Sequence, residues 1–164
     1  MLYDFNAGEV FQIAIEIEKN GYIFYQKARD KISDLDVKEL FEYLASEEIK
    51  HKEKFTSLKS QLPEDVKSST VWDPENEINR YLKMMADTHI FRTTKEIEEK
   101  INQIKSVTDA INFAIQFEKD SIIFFLTMQD LTEEKKGKEL IGQLIKEEQK
   151  HLEKLTKKLN DIKQ

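Results

Sequence analysis

The stretches "SEEIKHKEKF" (residues 46–55) and "KEEQKHLEKL" (residues 146–155) each place a Glu three residues before a His: Glu48 with His51, and Glu148 with His151. On a helix, residues three apart share a face, so each pair can point at one place. The chain has 3 His, and two of them stand in the same frame 100 positions apart. The same shift superposes Ala14, Ile15, Glu18, Lys19, Ile23 and Phe24 on like residues at 114, 115, 118, 119, 123 and 124. It also superposes Lys38, Glu39, Leu40, Leu44, Glu47, Lys50, Glu53, Lys54 and Thr56 on their counterparts without a gap. The repeat reads as a duplicated helical hairpin, with too few copies for a solenoid.

Apolar residues in steps of three and four mark four long helices. The first is expected to start at Asn6, with Glu9 in the capping-box position, and carries Phe11, Ile15, Glu18, Tyr22 and Tyr25 on one stripe. Ser33 or Asp34 can cap the second, whose seam is Val37, Phe41, Leu44, Glu48, His51, Phe55, Leu58 and Leu62. The third starts near Ser106 or Thr108 and carries Ile111, Ile115, Glu118, Ile122 and Phe125; the fourth carries Ile141, Leu144, Glu148, His151, Leu155 and Ile162. Between the hairpins, Asp73-Pro74 predicts a shorter helix over roughly Pro74–Phe91, leading through "RTTKEIEEKINQ" to the third long helix. A helix of about 27 residues is about 40 Å long, so the chain needs a long crossover to return along the bundle. The expected fold is an all-α four-helix bundle in one domain, 1–164, with hairpin 1 at 6–60, the crossover at 61–105 and hairpin 2 at 106–164.

Composition narrows the function. The chain is 39% hydrophobic and 35% charged, with 4 Gly and 2 Pro, a profile suited to helices. Its net charge is −6, with Lys and Arg interleaved among acids, which argues against nucleic acid or an anionic membrane as partner. The absence of Cys excludes disulfides, thiolate metal sites and iron–sulfur clusters. No apolar run reaches about 18 residues and the N-terminal stretch has no signal-peptide pattern, so a soluble, cytoplasmic protein is expected.

The charged residues on the apolar seams carry the chemistry. Residues equidistant from a hairpin turn lie at one level; the midpoint of 18 and 48 is 33, and that of 118 and 148 is 133, both within turn sequences. Each hairpin thus sets a Glu beside a Glu-x-x-His, and packing the two together gathers Glu18, Glu48, His51, Glu118, Glu148 and His151 in one interior layer. Burying four bare carboxylates would cost several kcal/mol or more each, beyond the net stability of a domain. Two divalent cations balance the four negative charges, with one neutral imidazole for each ion. The nitrogen and oxygen donors suit iron or manganese, and zinc also binds such a set. A single Glu-x-x-His on a helix is more often an exposed pair; two at matching register, each facing a seam Glu, point to a dinuclear site. Tyr25, on the stripe of Glu18, can bond a ligand carboxylate or simply fill the core. His89 belongs to no repeat and reads as a surface or packing residue, and Trp72, Met84 and Met85 read as packing.

The order Glu, Glu-x-x-His, Glu, Glu-x-x-His on four helices resembles the ferritin-like di-iron carboxylate superfamily. Within it, "AIEIEKNGYIFYQKA" with "LASEEIKHKEKF", then "AIQFEKDSIIFF" with "IKEEQKHLEKL", is similar to the rubrerythrin family. The resemblance covers nearly the whole chain. It implies a ferritin-like bundle in which Glu48 and Glu148 bridge two metal ions, with Glu18, Glu118, His51 and His151 as terminal ligands. It also implies reduction of hydrogen peroxide or dioxygen in defence against oxidants, and commonly a homodimer. Two departures matter. Rubrerythrins carry a Cys-ligated rubredoxin domain, whereas this chain has no Cys and would draw electrons from an external donor such as a rubredoxin. Rubrerythrins also place an extra Glu one turn after the helix-three ligand, where this chain has Ser121. Alternative readings are an iron-handling protein that oxidises Fe²⁺, and a non-catalytic bundle stabilised by metal.

Overall fold

A computed structural model describes residues 7–64, 84, 87, 89, 92–132 and 134–164. These form five helices, with no strand among the described residues: α1 (Ala7–Lys31), α2 (Leu35–Ser60), α3 (Thr94–Gln103), α4 (Val107–Leu131) and α5 (Lys135–Lys163). The four long helices pair as α1 with α2 and α4 with α5, and the hairpins meet through α1 against α4 and α2 against α5. None is long and apolar enough to cross a membrane.

Side-chain caps fix the starts. Asp34 accepts the backbone N–H of Val37 at 3.0 Å and opens α2. Ser106 opens α4 in a reciprocal capping box with Asp109. Of each expected pair of cap residues, Ser33/Asp34 and Ser106/Thr108, the structure selects Asp34 and Ser106. Glu134 opens α5 by accepting from Lys136 and Gly137. The proposed cap at Asn6 lies outside the described residues.

The crossover departs in detail from the sequence reading. Most of the helix expected over Pro74–Phe91 lies outside the described residues, as do Trp72 and Met85. The helix that is described, α3, falls in "RTTKEIEEKINQ", whose charge-dense part around 96–105 reads from sequence as a solvated helix face. Thr93 and Glu96 form its capping box, and Ile97 and Ile101, one turn apart, are buried. An ion pair of 2.9 Å between Lys27 and Glu98 also ties α3 to α1. Met84, read as packing, is exposed.

The core is aromatic. Phe24, Tyr25, Phe41, Phe55, Phe117, Phe124 and Phe125 are all buried, with Tyr25 edge-on to both Phe41 and Phe117. Gly21 makes part of this packing possible. A Cβ on it would lie 2.3 Å from Phe117 Cζ and 3.0 Å from Glu48 Oε2, so the missing side chain is what admits both neighbours.

Candidate metal centre

The structure brings all six predicted residues together. Glu18 from α1, Glu48 and His51 from α2, Glu118 from α4, and Glu148 and His151 from α5 are each at most 1% exposed. Their ligand atoms fall into two groups, Glu18, Glu48, His51 and Glu148, and Glu48, Glu118, Glu148 and His151, each within 4.8 Å. Glu48 and Glu148 belong to both. The sharing follows from the repeat: each hairpin supplies one Glu-x-x-His, and its Glu faces the midline of the bundle.

Both imidazoles turn Nδ1 inward. His51 Nδ1 contacts Glu148 Oε1 and lies 3.7 Å from Glu18 Oε2. His151 Nδ1 lies 3.1 Å from Glu148 Oε2, 3.7 Å from Glu118 Oε1 and 3.9 Å from Glu48 Oε1. The two rings stack with centroids 5.5 Å apart. The Tyr25 hydroxyl donates to Glu118 Oε1 across the hairpin interface, the role the sequence allowed for it. That bond occupies one oxygen of Glu118 and leaves Oε2 facing inward without a partner.

Electrostatics show what the cluster lacks. Burial, with the charges of Glu148 and Glu118, pushes Glu18 well above the usual carboxylate range. Burial and the charges of Glu18 and Glu148 do the same to Glu48. Burial and Glu148 raise Glu118 to about 8. Burial alone would lower both imidazoles, but the surrounding carboxylates outweigh it and raise His51 to about 9 and His151 to about 11. Glu148, against the effect of burial, is held below the usual range by His51 and His151. Without metal, protons must therefore neutralise most of this layer. Both oxygens of Glu18, both of Glu48 and Oε2 of Glu118 have no hydrogen-bond partner. Buried acceptors of this kind are otherwise nearly always satisfied. The donor set and its orphaned oxygens fit a pair of divalent cations.

Two residues near the centre have partners that the sequence did not give. Glu147 Oε2 lies 2.8 Å from the outward Nε2 of His51, and the carboxylate is paired with Lys54 at 3.0 Å. His89, read as a surface or packing residue, is buried with Nε2 3.1 Å from the Ser121 hydroxyl and its ring edge-on to Phe117. Burial lowers it to about 4, so it is neutral at pH 7.

A four-helix bundle with a crossover between its hairpins and a buried layer of shared carboxylates has the architecture of the ferritin-like diiron-carboxylate proteins. The family description "Rubrerythrin" matches residues 9–159, and the chain belongs to that family. Among solved structures, it is similar to a Thermotoga maritima protein described as a ferritin-like diiron-carboxylate protein. The TM-score is 0.72 at 22% identity, covering 94% of each chain. No curated protein matches the sequence.

Proposed function

We propose that the chain is a dinuclear, iron-containing oxidoreductase that reduces hydrogen peroxide or dioxygen with electrons from a separate donor protein such as a rubredoxin, working as a homodimer in the cytoplasm. The observation that carries this reading is the pair of four-residue groups sharing Glu48 and Glu148. Two groups with two members in common suit two ions bridged by two carboxylates, with Glu18 and His51 completing one position and Glu118 and His151 the other. Bound there, the reduced metal pair would supply the two electrons that, with two protons, convert one peroxide to two waters.

The chain's own residues bind and orient. Glu48 and Glu148 span both positions from opposite hairpins, so the spacing of the site is set by hairpin packing. Tyr25 holds Glu118 by one oxygen. Tyr25 and Phe117 wall the layer on the side where Gly21 lets Glu48 approach. Water is thereby kept from the carboxylates, which strengthens their attraction for cations.

The test is rapid mixing of the iron-reconstituted, reduced protein with peroxide and with oxygen. Oxidation by peroxide within milliseconds to seconds, two electrons per chain, supports the reading. A reduced form inert to both oxidants would leave a metal-stabilised bundle, and uptake of iron well beyond two per chain would favour iron handling.

A further inference from the structure

We propose that Glu147 is a positioning residue for His51, and that it makes the two metal positions unequal, with the His51 position binding the tighter ion. The proposal rests on the dinuclear reading above. With Nδ1 of His51 turned to the centre, its outward Nε2 carries the proton and donates to Glu147 Oε2 at 2.8 Å. Both Glu147 oxygens in turn lie within 3.2 Å of Lys54 Nζ, which holds the carboxylate in place. A carboxylate on the far nitrogen fixes the tautomer and ring orientation of a ligating imidazole and makes its near nitrogen a better donor.

The repeat predicts the same arrangement on the other side, with Glu47 on His151 and Lys154 bracing Glu47. The structure breaks that symmetry. Lys154 Nζ instead lies 4.1 Å above the ring of Tyr43, and that ring stands edge-on to His151 at 6.1 Å. Glu47 has an oxygen in the neighbourhood of both imidazoles, but its hydrogen bond goes to Lys50 on its own helix. The cause is one substitution within the repeat: Tyr43 has Gln143 as its counterpart, so only hairpin 1 offers an aromatic face to draw the lysine away. His51 has an anionic anchor, and His151 has an aromatic edge.

The experiment uses apo protein titrated with Co²⁺, followed by visible absorption and by proton NMR of the paramagnetic sample. Wild type should take up two Co²⁺ in resolved steps, and the tighter step should bring a shifted, slowly exchanging N–H signal from His51. Glu147→Gln, at a partly exposed site, should weaken the tighter step by about 10–100-fold, speed exchange of that signal and leave the weaker step within about two-fold. Tyr43→Gln should free Lys154 for Glu47 and narrow the gap by strengthening the weaker step. Equal weakening of both steps in Glu147→Gln, or no change in either, overturns the proposal. A gap in Tyr43→Gln as wide as in wild type overturns the part assigned to Tyr43. Wild type binding fewer than two Co²⁺ is a separate result, which removes the dinuclear reading itself.

Discussion

His89 Nε2 lies 3.1 Å from the hydroxyl of Ser121, with both residues buried. Ser121 stands one turn beyond Glu118, at the position where the family resemblance calls for a further carboxylate. The crossover thus sets a neutral imidazole beside the position where a negative ligand was expected, with the His89 ring edge-on to Phe117. A serine hydroxyl engaged with His89 is a weak, neutral ligand. His51 and His151 should therefore stay bound in both oxidation states, and a pair of structures, oxidised and reduced, should show each metal moving by less than about 1 Å. Release of either imidazole on reduction would contradict this. In Ser121→Glu, the new carboxylate should raise His89 from about 4, read by NMR titration of the ring.

Metal stoichiometry separates bridging from terminal carboxylates. Because Glu48 and Glu148 belong to both ligand groups, Glu48→Ala or Glu148→Ala should lower metal content from about two ions per chain to well under one. Glu18→Ala and Glu118→Ala touch one group each and should retain about one ion. Elemental analysis after reconstitution with Fe²⁺ checks both. Equal losses for all four variants would mean that the groups do not act as a shared pair.

Stability should depend on pH in opposite ways with and without metal. In the metal-free protein, Glu18, Glu48 and Glu118 have raised values, so the folded state binds protons that the unfolded state has released above about pH 4.5. His51 and His151 are also raised, and hold protons above about pH 6.5 that unfolded imidazoles lose. Metal-free stability is therefore highest near pH 5 and is lost as pH rises through about 8 to 11. The lowered Glu148 acts in the opposite sense, but only below about pH 4.5. Bound metal needs the deprotonated ligands, so its stabilisation grows with pH. The gap in melting temperature between loaded and metal-free protein should widen from pH 5 to 8, by about 3–5 °C per pH unit for each proton involved. A constant gap would contradict proton storage in the layer.

The same storage fixes the protons expelled on loading. At pH 7 the raised carboxylates Glu18, Glu48 and Glu118 and the raised imidazoles share protons that metal must displace, so binding should release more than one proton per chain. Calorimetry in buffers of different ionisation enthalpy measures the number. A release near zero would show that the ligands are already ionised.

The six ligand candidates were legible because charge interrupts an apolar seam at matching places in both hairpins, and no surface requirement explains a Glu between Ile15 and Tyr22. The caps were legible to within a pair of residues each, Ser33 or Asp34 and Ser106 or Thr108, because short polar side chains there precede the apolar stripes. The charge-dense stretch around 96–105 reads as a solvated helix face, but the bounds and buried side of α3 were not legible. Ile97 and Ile101 are too few to show a stripe, and the signal that could have set its start was Thr93 with Glu96, a capping box. Glu147 hid for a different reason. It neighbours Glu148 in a run of charged residues, and only the packing of α2 against α5 decides that it leans on His51. His89 sits outside the repeat, so no symmetry argument could place it against Ser121.

Gly21 offers the last test. In an open helix, Gly→Ala would stabilise by about 1 kcal/mol, because alanine loses less backbone freedom. Here the added methyl would fall 2.3 Å from Phe117 Cζ and 3.0 Å from Glu48 Oε2. Both neighbours are pinned: Phe117 by the edges of Tyr25 and His89, and Glu48 by its place in both ligand groups. Overpacking of a filled core costs about 1–3 kcal/mol, so the net effect of Gly21→Ala should be destabilisation, read as a lower denaturation midpoint. Because the methyl also presses on a shared carboxylate, metal content should fall with stability. Phe117→Leu in the Gly21→Ala background should recover part of both, since it removes the ring atoms nearest the new Cβ. If Gly21→Ala is as stable as the parent and binds as much metal, the ring and Glu48 have room to move, and the layer is less tightly held than these contacts indicate.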